Sequence, residues 1–534
     1  MVRPYSRRPG ERRCARAHSW RHPLLGTLLP TLLIAAIVPS LHAQGAPDTF
    51  AVRTGHPARA AAPPPSSAPM TLQQAIAIAQ HRGLDAQAAR HGLEAARWRD
   101  QAFHAQFLPQ LSFDATLPNL SRAIIPVVQP QGATLFAPQS QMQSSLGLTL
   151  SQAIPLTGTT LTLSSGLRRV DIFGNQAFRT WQSTPIAIGI RQNLFQPNTL
   201  EWDRREQTLQ SDIAERTYVE AKENVAVNTA TAFFALYAAR MARDNAASNV
   251  AVNDTLYTIS KGRFQVGKIG ENDLLQSELA ELRARNELDA DQLDYERKLA
   301  AFKLLLNIPA DSDVTVIAPI QIPDVDVDTA LAVSEALHNG SQAENIDLQE
   351  LDARRRVNQA ELSNSFSAQI SAQAGYNQTA PVFRGAYQSL LDQETLTLSV
   401  SMPIIQWGAH HANVEAAVAS QKQVANQTTS TRESIAQQAH FAALQLMQSQ
   451  RQVSLAAKAD TVGEKRFEVA KDRYLIGKIG ISDLYIAQNE KDQARVAYVQ
   501  ALQGFWLAYY QLRKLTLYDF ATHQRISAVS DVEQ

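Results

Sequence analysis

Twelve consecutive residues, Arg263-Phe264-Gln265-Val266-Gly267-Lys268-Ile269-Gly270-Glu271-Asn272-Asp273-Leu274, align without a gap onto Arg473-Tyr474-Leu475-Ile476-Gly477-Lys478-Ile479-Gly480-Ile481-Ser482-Asp483-Leu484, at a constant offset of 210 positions. A repeat of this kind restricts the fold to architectures that use one unit twice. The flanks agree in type. Leu194-Phe195-Gln196 precedes one long polar stretch and Ile404-Ile405-Gln406 the other, and Ala89 to Pro109 corresponds to Leu348 to Ser367.

Each half reads as helix, strands, long helix, tight turn and return helix. The first repeat, 71–308, has a helix from Leu72 to Leu108, strands within 110–194, a long helix over 199–266 and a return helix over 272–307. The second, 329–520, has a helix from Val333 to Asn364, strands near 365–376 and 395–404, a long helix over 408–476 and a return helix over 482–515. A Pro-marked linker, 309–328, joins them, and 521–534 is a tail. The long helices carry heptad steps: Val227, Ala230, Phe234, Tyr237 and Met241; Ile435, Ala439, Ala442 and Leu446; Leu502, Phe505, Tyr509 and Leu512. Such spacing makes a narrow apolar seam that packs on neighbouring helices, and its many Ala residues imply close approach to more than one partner. At 1.5 Å per residue the long helix reaches about 100 Å and each short arm roughly half of that. Two short arms end to end therefore match one long rod.

The N-terminus reads as an export signal over 1–43: seven Arg precede an apolar run from Leu24 to Leu41 that ends at Leu41-His42-Ala43. Pro30 and Pro39 interrupt that run, against a membrane anchor. Residues 44–70, rich in Pro, Ala and Ser, read as an extended linker. The whole chain balances 50 Lys+Arg against 50 Asp+Glu, and the part after Ala43 carries a net charge of −6. That excludes a nucleic-acid binder driven by positive charge, and one Cys excludes a disulfide framework. No later stretch resembles a transmembrane helix, so the exported chain is either soluble or part of a β-barrel.

The strands alternate with period two. Leu396, Leu398, Val400 and Met402 interleave with Thr and Ser; Phe366, Ala368, Ile370, Ala372 and Ala374 interleave with Ser and Gln; Ile186, Ile188 and Ile190 repeat the scheme. A sheet with lipid outside and water inside needs this pattern, and a water-soluble sheet with one buried face gives it too. Two strands per half are too few to close a barrel and an open edge cannot face lipid, so three copies are expected to pool twelve strands. Leu146 to Leu150 and Leu161 to Leu163 form an extra alternating pair around Pro155 to Gly158, either a surface hairpin or two further wall strands.

From Met70 to about Phe520 the chain resembles the TolC-type outer-membrane efflux and export channels (outer membrane factors). The resemblance rests on Pro403-Ile404-Ile405-Gln406-Trp407-Gly408 followed by Ala412-Asn413-Val414-Glu415-Ala416-Ala417, on the two Gly-Lys-Ile-Gly turns, and on Leu108-Pro109-Gln110-Leu111. It implies an internally duplicated α+β membrane protein with a long antiparallel α-helical coiled-coil barrel and a transmembrane β-barrel shared between three chains. Further implications are a homotrimer in the cell outer membrane with a periplasmic helical tunnel, a periplasmic adaptor (membrane-fusion) protein, and an inner-membrane efflux pump or ABC transporter. The sequence departs from the pattern in lacking a lipidation Cys after the apolar run, in placing Ala368 where the first half has Pro109, and in the 146–167 insertion.

In the two turns Gly267, Gly270, Gly477 and Gly480 are expected to let a rod reverse direction. Asp273 and Asp483, three residues past the second Gly, sit where an acid can cap the new helix. By the resemblance Asp483 matches a carboxylate lining the closed periplasmic entrance, with Asp273 as its counterpart. Ile486 stands near a position where some relatives carry a second acid. A carboxylate ring favours cations and invites block by multivalent ones. Val266, Gly267, Lys268, Ile476, Gly477 and Lys478 match the tips on which adaptors dock.

Other constellations carry no chemistry. Asp324, Asp326 and Asp328 lack the Gly and closing Glu of a calcium loop. Adjacent His410 and His411 diverge on a helix. No zinc-protease, P-loop, dinucleotide or nucleophile-elbow motif is present, so neither an enzyme nor a bound cofactor is expected. The leading reading is a passive trimeric exit duct; the alternative is a non-channel periplasmic or surface coiled-coil scaffold protein.

Overall fold

The computed structural model describes residues 69–128, 132–174, 177–319 and 321–527. The expected signal segment and all but the end of the expected linker lie outside the described residues. At that end, Met70 is already structured: its N–H donates to Thr315 O and it bridges Val316 in parallel.

The helix expected over 72–108 is two helices, α1 (Leu72–Arg82) and α2 (Leu84–Ala105), broken at Gly83 in extended backbone. After four strands come α3 (Thr199–Gln265) and α4 (Glu271–Leu305). The helix expected from Val333 likewise divides into α5 (Thr329–Asn339) and α6 (Ser341–Leu362) at Gly340. The long α7 (Ala409–Leu475) and its return α8 (Ile481–Thr516) follow. Both breaks have one cause: the end of a return helix abuts them. Asn307, just past α4, donates to Arg82 O at 3.2 Å, and Asn339, at the end of α5, donates to Thr516 O at 3.1 Å where α8 ends. The short arms thus stack end to end along α3 and α7, which at 67 residues each run about 100 Å.

The main core lies at that stacking level. Phe233, Phe234, Phe302, Phe505 and Leu512 are fully buried, alongside Val316, Val325 and Val327 of the 309–328 linker. Leu502, Phe505, Tyr509 and Leu512 keep the expected seam on α8. On α3 the buried stripe is wider than a heptad seam, because that helix packs on α1, α2, α4, α6 and α8. Part of α3 is long and apolar enough by composition to cross a membrane, contrary to expectation; its Val225, Phe233, Phe234 and Leu236 bury in this core. Asp328 caps α5 through Ala330 N–H, and Asp324 accepts from Gln450, which gives this acidic stretch a structural role.

The first half contributes four strands rather than two. β1 (Gln110–Val128), β2 (Thr134–Ile154), β3 (Thr159–Phe173), β4 (Phe178–Leu194), β5 (Ser367–Ala380) and β6 (Leu391–Ser401) form one antiparallel sheet in chain order. The expectation of four strands per chain is therefore corrected to six, and the 146–167 segment is the β2–β3 hairpin inside the sheet. Register keeps the two faces apart. Leu111, Leu150, Leu163, Ile188 and Ala374 form one cross-strand row, and Gln110, Ser151, Thr162, Gly189 and Gln373 the next. The apolar face lies open, with Leu396 77% exposed. β4 and β5 join the two halves closely: a Cβ at Gly375 would lie 2.7 Å from Ala187 Cα.

Candidate functional site

The far ends of the long rods are two hairpin tips. At the first, Gly267 N–H donates to Phe264 O and Lys268 N–H to Arg263 O, both at 2.9 Å; at the second, Gly477 N–H donates to Tyr474 O and Lys478 N–H to Arg473 O at the same distance. These bonds occupy the last free carbonyls of α3 and α7 and require a left-handed residue after the helix. Gly267 at φ +74° and Gly477 at φ +75° supply it. Gly270 and Gly480 do not share that role: at φ −81° and −75° they precede α4 and α8 in extended backbone open to any residue. Only the first Gly of each motif is conformationally required.

Val266 and Ile476 are 69% and 67% exposed at the apices, beside exposed Lys268 and Lys478. Each tip thus presents one apolar and one cationic side chain. Behind them, a cleft of about 480 Å³ separates the tips, lined by Ser260, Arg263, Lys268, Asp273, Tyr474 and Gly477, among others. Asp273, half-buried, faces this cleft. Asp483 does not line it; that side chain is exposed at the start of α8. Neither carboxylate makes an ion pair among the described residues, and no side chain caps α4 or α8. Both acids sit in the first turn, where the positive end of the helix favours them.

The links between the tips were not legible in the repeat motif. Arg263 donates to Leu475 O at 3.3 Å and lies over the Tyr474 ring at 5.1 Å. Tyr474 OH meets Ser260 Oγ at 3.4 Å, and Gln276 donates to Ser482 Oγ at 3.4 Å. Leu256, Phe467, Tyr474, Ile481 and Leu484 form a small apolar core under the tips. Tyr485 borders it, its hydroxyl pushed up to about 12 by burial and by Tyr474. The one available signal was Tyr474 standing where the first repeat has Phe264. Above this core the α3–α8 seam turns polar, with Asn245 and Asn249 donating to the two carboxylate oxygens of Asp492 at 2.8 and 3.2 Å. On the same stretch Glu287 and Asp291 are raised, chiefly by burial and then by neighbouring acids.

Residues 337–516 match the family model of the outer membrane efflux protein. No curated protein matches the sequence significantly. Solved structures do match in fold. The Campylobacter jejuni CmeC outer membrane channel is 16% identical over 86% of this chain and 88% of its own, with TM-score 0.61. The Vibrio cholerae outer membrane protein VceC is 13% identical over 85% and 97%, with TM-score 0.59. The open-state Neisseria gonorrhoeae MtrE outer membrane channel is 16% identical over 83% and 88%, with TM-score 0.57. The resemblance to the TolC-type channels and the outer-membrane location expected from the sequence both agree with these matches: residues 337–516 carry the outer membrane efflux protein pattern, and the described chain has the fold of the outer-membrane channels.

Proposed function

We propose that the protein is the exit duct of a tripartite efflux or type I secretion assembly. Three copies pool their sheets into one barrel in the outer membrane and their helices into a periplasmic tunnel. Each chain contributes a twice-used unit of rods and strands to both. Cargo leaves passively; an inner-membrane pump or ABC transporter, coupled through a periplasmic adaptor, supplies the energy. The observation that carries this reading is one chain holding both a sheet with an open apolar face opposite a polar one and 100 Å rods ending in exposed hairpin tips. Water inside and lipid outside account for the sheet, and the rods have the reach to cross a periplasm.

In this reading Val266, Lys268, Ile476 and Lys478 are the adaptor contacts, with Gly267 and Gly477 turning the chain at the tips that present them and Gly270 and Gly480 leading into the return helices. Asp483 and Asp273 recur around the threefold axis as gate and selectivity carboxylates. Asp273 acts from the cleft between tips and Asp483 from the open start of α8, so opening the tips changes the surroundings of Asp273 more.

Membrane fractionation, sizing in mild detergent and planar-bilayer conductance test the proposal together. The expected result is a trimer extracted from outer membranes that conducts ions. A soluble periplasmic species without conductance would refute the duct and support the coiled-coil scaffold.

A further inference from the structure

We propose that the barrel wall has eighteen strands, closed by pairing β1 of each copy with β6 of the next. The inference rests on the trimeric reading above and fixes what that reading leaves open, the composition of the wall and the strands that meet between subunits.

The six-stranded sheet is open, with β1 and β6 as its edges. In hydrocarbon an unpaired edge leaves backbone N–H and C=O groups without partners, at several kcal/mol each by the usual scale. Something must pair with both edges, and the strands themselves specify a second copy of this chain. Every neighbouring pair in the sheet is antiparallel, so β1 and β6 run in opposite directions and a β6-to-β1 seam continues the ladder. The faces also match. On β1, Leu111 and Phe113 alternate with Ser112 and Asp114; on β6, Leu396 and Leu398 alternate with Thr397 and Ser399. Over these residues, at the ends of β1 and β6 that adjoin the helices, joining the edges continues both faces. Lengths agree as well. β6 has 11 residues, about 28 Å of membrane normal at a tilt of ~40°, close to the ~25 Å lipid-facing band of such barrels.

The β2–β3 hairpin belongs to the wall. Its ladder runs unbroken through fifteen pairs, from Ser140 opposite Phe173 to Ile154 opposite Thr159. Its turn is fastened to the top of α3: Asn198, the N-cap of that helix, donates to Pro155 O at 2.7 Å and to Leu156 O at 3.2 Å, and its oxygen accepts from Glu201 N–H. The turn therefore sits at the level where β4 passes into α3, and β2 and β3 traverse the same thickness as β4. With strands about 4.8 Å apart and tilted ~40°, eighteen of them enclose a barrel about 36 Å across between backbones, against about 24 Å for twelve.

Disulfide trapping tests the seam. The only Cys of the chain is Cys14, in the segment expected to be removed, so introduced thiols stand alone. Ser112→Cys or Asp114→Cys on β1 would be combined with Thr397→Cys or Ser399→Cys on β6 in the full-length protein. The variants are oxidised in outer membranes and read on non-reducing gels. Directly opposed strand residues have the Cα separation a disulfide needs. The pair Asn193→Cys and Gln369→Cys, opposite each other on β4 and β5, is the control for oxidation within a chain. The expected result is a covalent trimer, three times the monomer mass, in at least one of the four β1–β6 combinations, and none when Thr162→Cys on β3 replaces the β1 thiol. Covalent trimer through Thr162→Cys would overturn the proposal in favour of four wall strands per chain, with β1 and β2 displaced. A monomer-sized β1–β6 product would overturn it by showing closure within one chain. A detergent-stable trimer without any β1–β6 product, while the control oxidises, overturns the seam alone. A monomer in mild detergent overturns the trimeric reading and the seam with it.

Discussion

Serine placed at Gly477 should destabilise the turn, while serine at Gly480, three residues on in the same turn, should not. Gly477 holds φ +75°, and a Cβ added there would have no neighbour within 4 Å, so a side chain meets no clash and the whole penalty is backbone strain. Holding an L-residue in the left-handed region costs roughly 1–2 kcal/mol. That raises the open population of the turn by about 5–30-fold. Gly480 holds φ −75° and ψ 164° as the N-cap of α8, and a Cβ there would meet only Asp483 Oδ2 at 4.0 Å. Serine is a favoured N-cap whose hydroxyl accepts an N–H of the first turn, so Gly480→Ser should be neutral or stabilising by about a few tenths of a kcal/mol. Hydrogen exchange on the detergent-solubilised protein reads both effects at the amides of Gly477 and Lys478, which donate to Tyr474 O and Arg473 O. Gly477→Ser should accelerate them about 5–30-fold and Gly480→Ser leave them unchanged or slower. Gly477→Asn should fall between, since Asn tolerates left-handed backbone. Equal acceleration by Gly477→Ser and Gly480→Ser would refute the assignment of the reversal to the first glycine.

Asp483→Asn should lower cation preference in bilayer conductance, and unchanged selectivity would remove Asp483 from the gate. Phe505→Ala empties a fully buried site in the main core and should cost about 3–5 kcal/mol, read as a lower thermal midpoint. Tyr509→Phe removes the hydroxyl that donates to Asp519 Oδ1 at 2.7 Å and should cost about 1–3 kcal/mol near neutral pH. Burial raises the Asp519 carboxyl, but the Tyr509 hydrogen bond, Arg513 and the backbone outweigh it and hold the group below the ordinary value. Its stabilisation is therefore present above roughly pH 4 and lost as pH falls through the lowered pKa. In Tyr509→Phe the carboxyl is held down less, so that acid loss should be smaller and complete at a higher pH, and identical midpoint-against-pH curves for the two proteins would contradict it.

The rods were readable because local rules specify them. Heptad steps and the repeated Gly-Lys-Ile-Gly turn placed both long helices within a residue or two of their ends. The breaks at Gly83 and Gly340 were not, since a lone glycine in a helical pattern is ordinarily tolerated and its meaning here comes from distant groups, Asn307 and Thr516. β1 was the hardest strand to see. Pro118 and Pro126, Asp114 and Arg122 dilute its alternation, and an irregularity between Thr116 and Asn119 shifts the period midway, so no single period-two pattern fits 110–128. The site divides the same way. The turns follow from their own residues, whereas Arg263 reaching Leu475 depends on chain positions more than two hundred residues apart.

Equivalent positions in the two tips have diverged in a way that separates their roles. Phe264 is 40% exposed, while Tyr474, at the matching place, is 4% exposed and packs beneath Arg263. Glu271 opens α4 in solvent, whereas Ile481 opens α8 inside the small apolar core. Most of that core, Phe467, Tyr474, Ile481 and Leu484, belongs to the second hairpin, with Leu256 contributed by the first, and the hydrogen bonds that join the tips above it come from an Arg side chain, a tyrosine hydroxyl and an amide. Hydrogen bonds at a solvent-lined cleft contribute only about 1 kcal/mol each, because water replaces them when they part. A separation of the tips along this polar line is therefore far less costly than unpacking the aromatic core around Phe505, and movement of the ends can proceed while the level where the arms stack stays fixed.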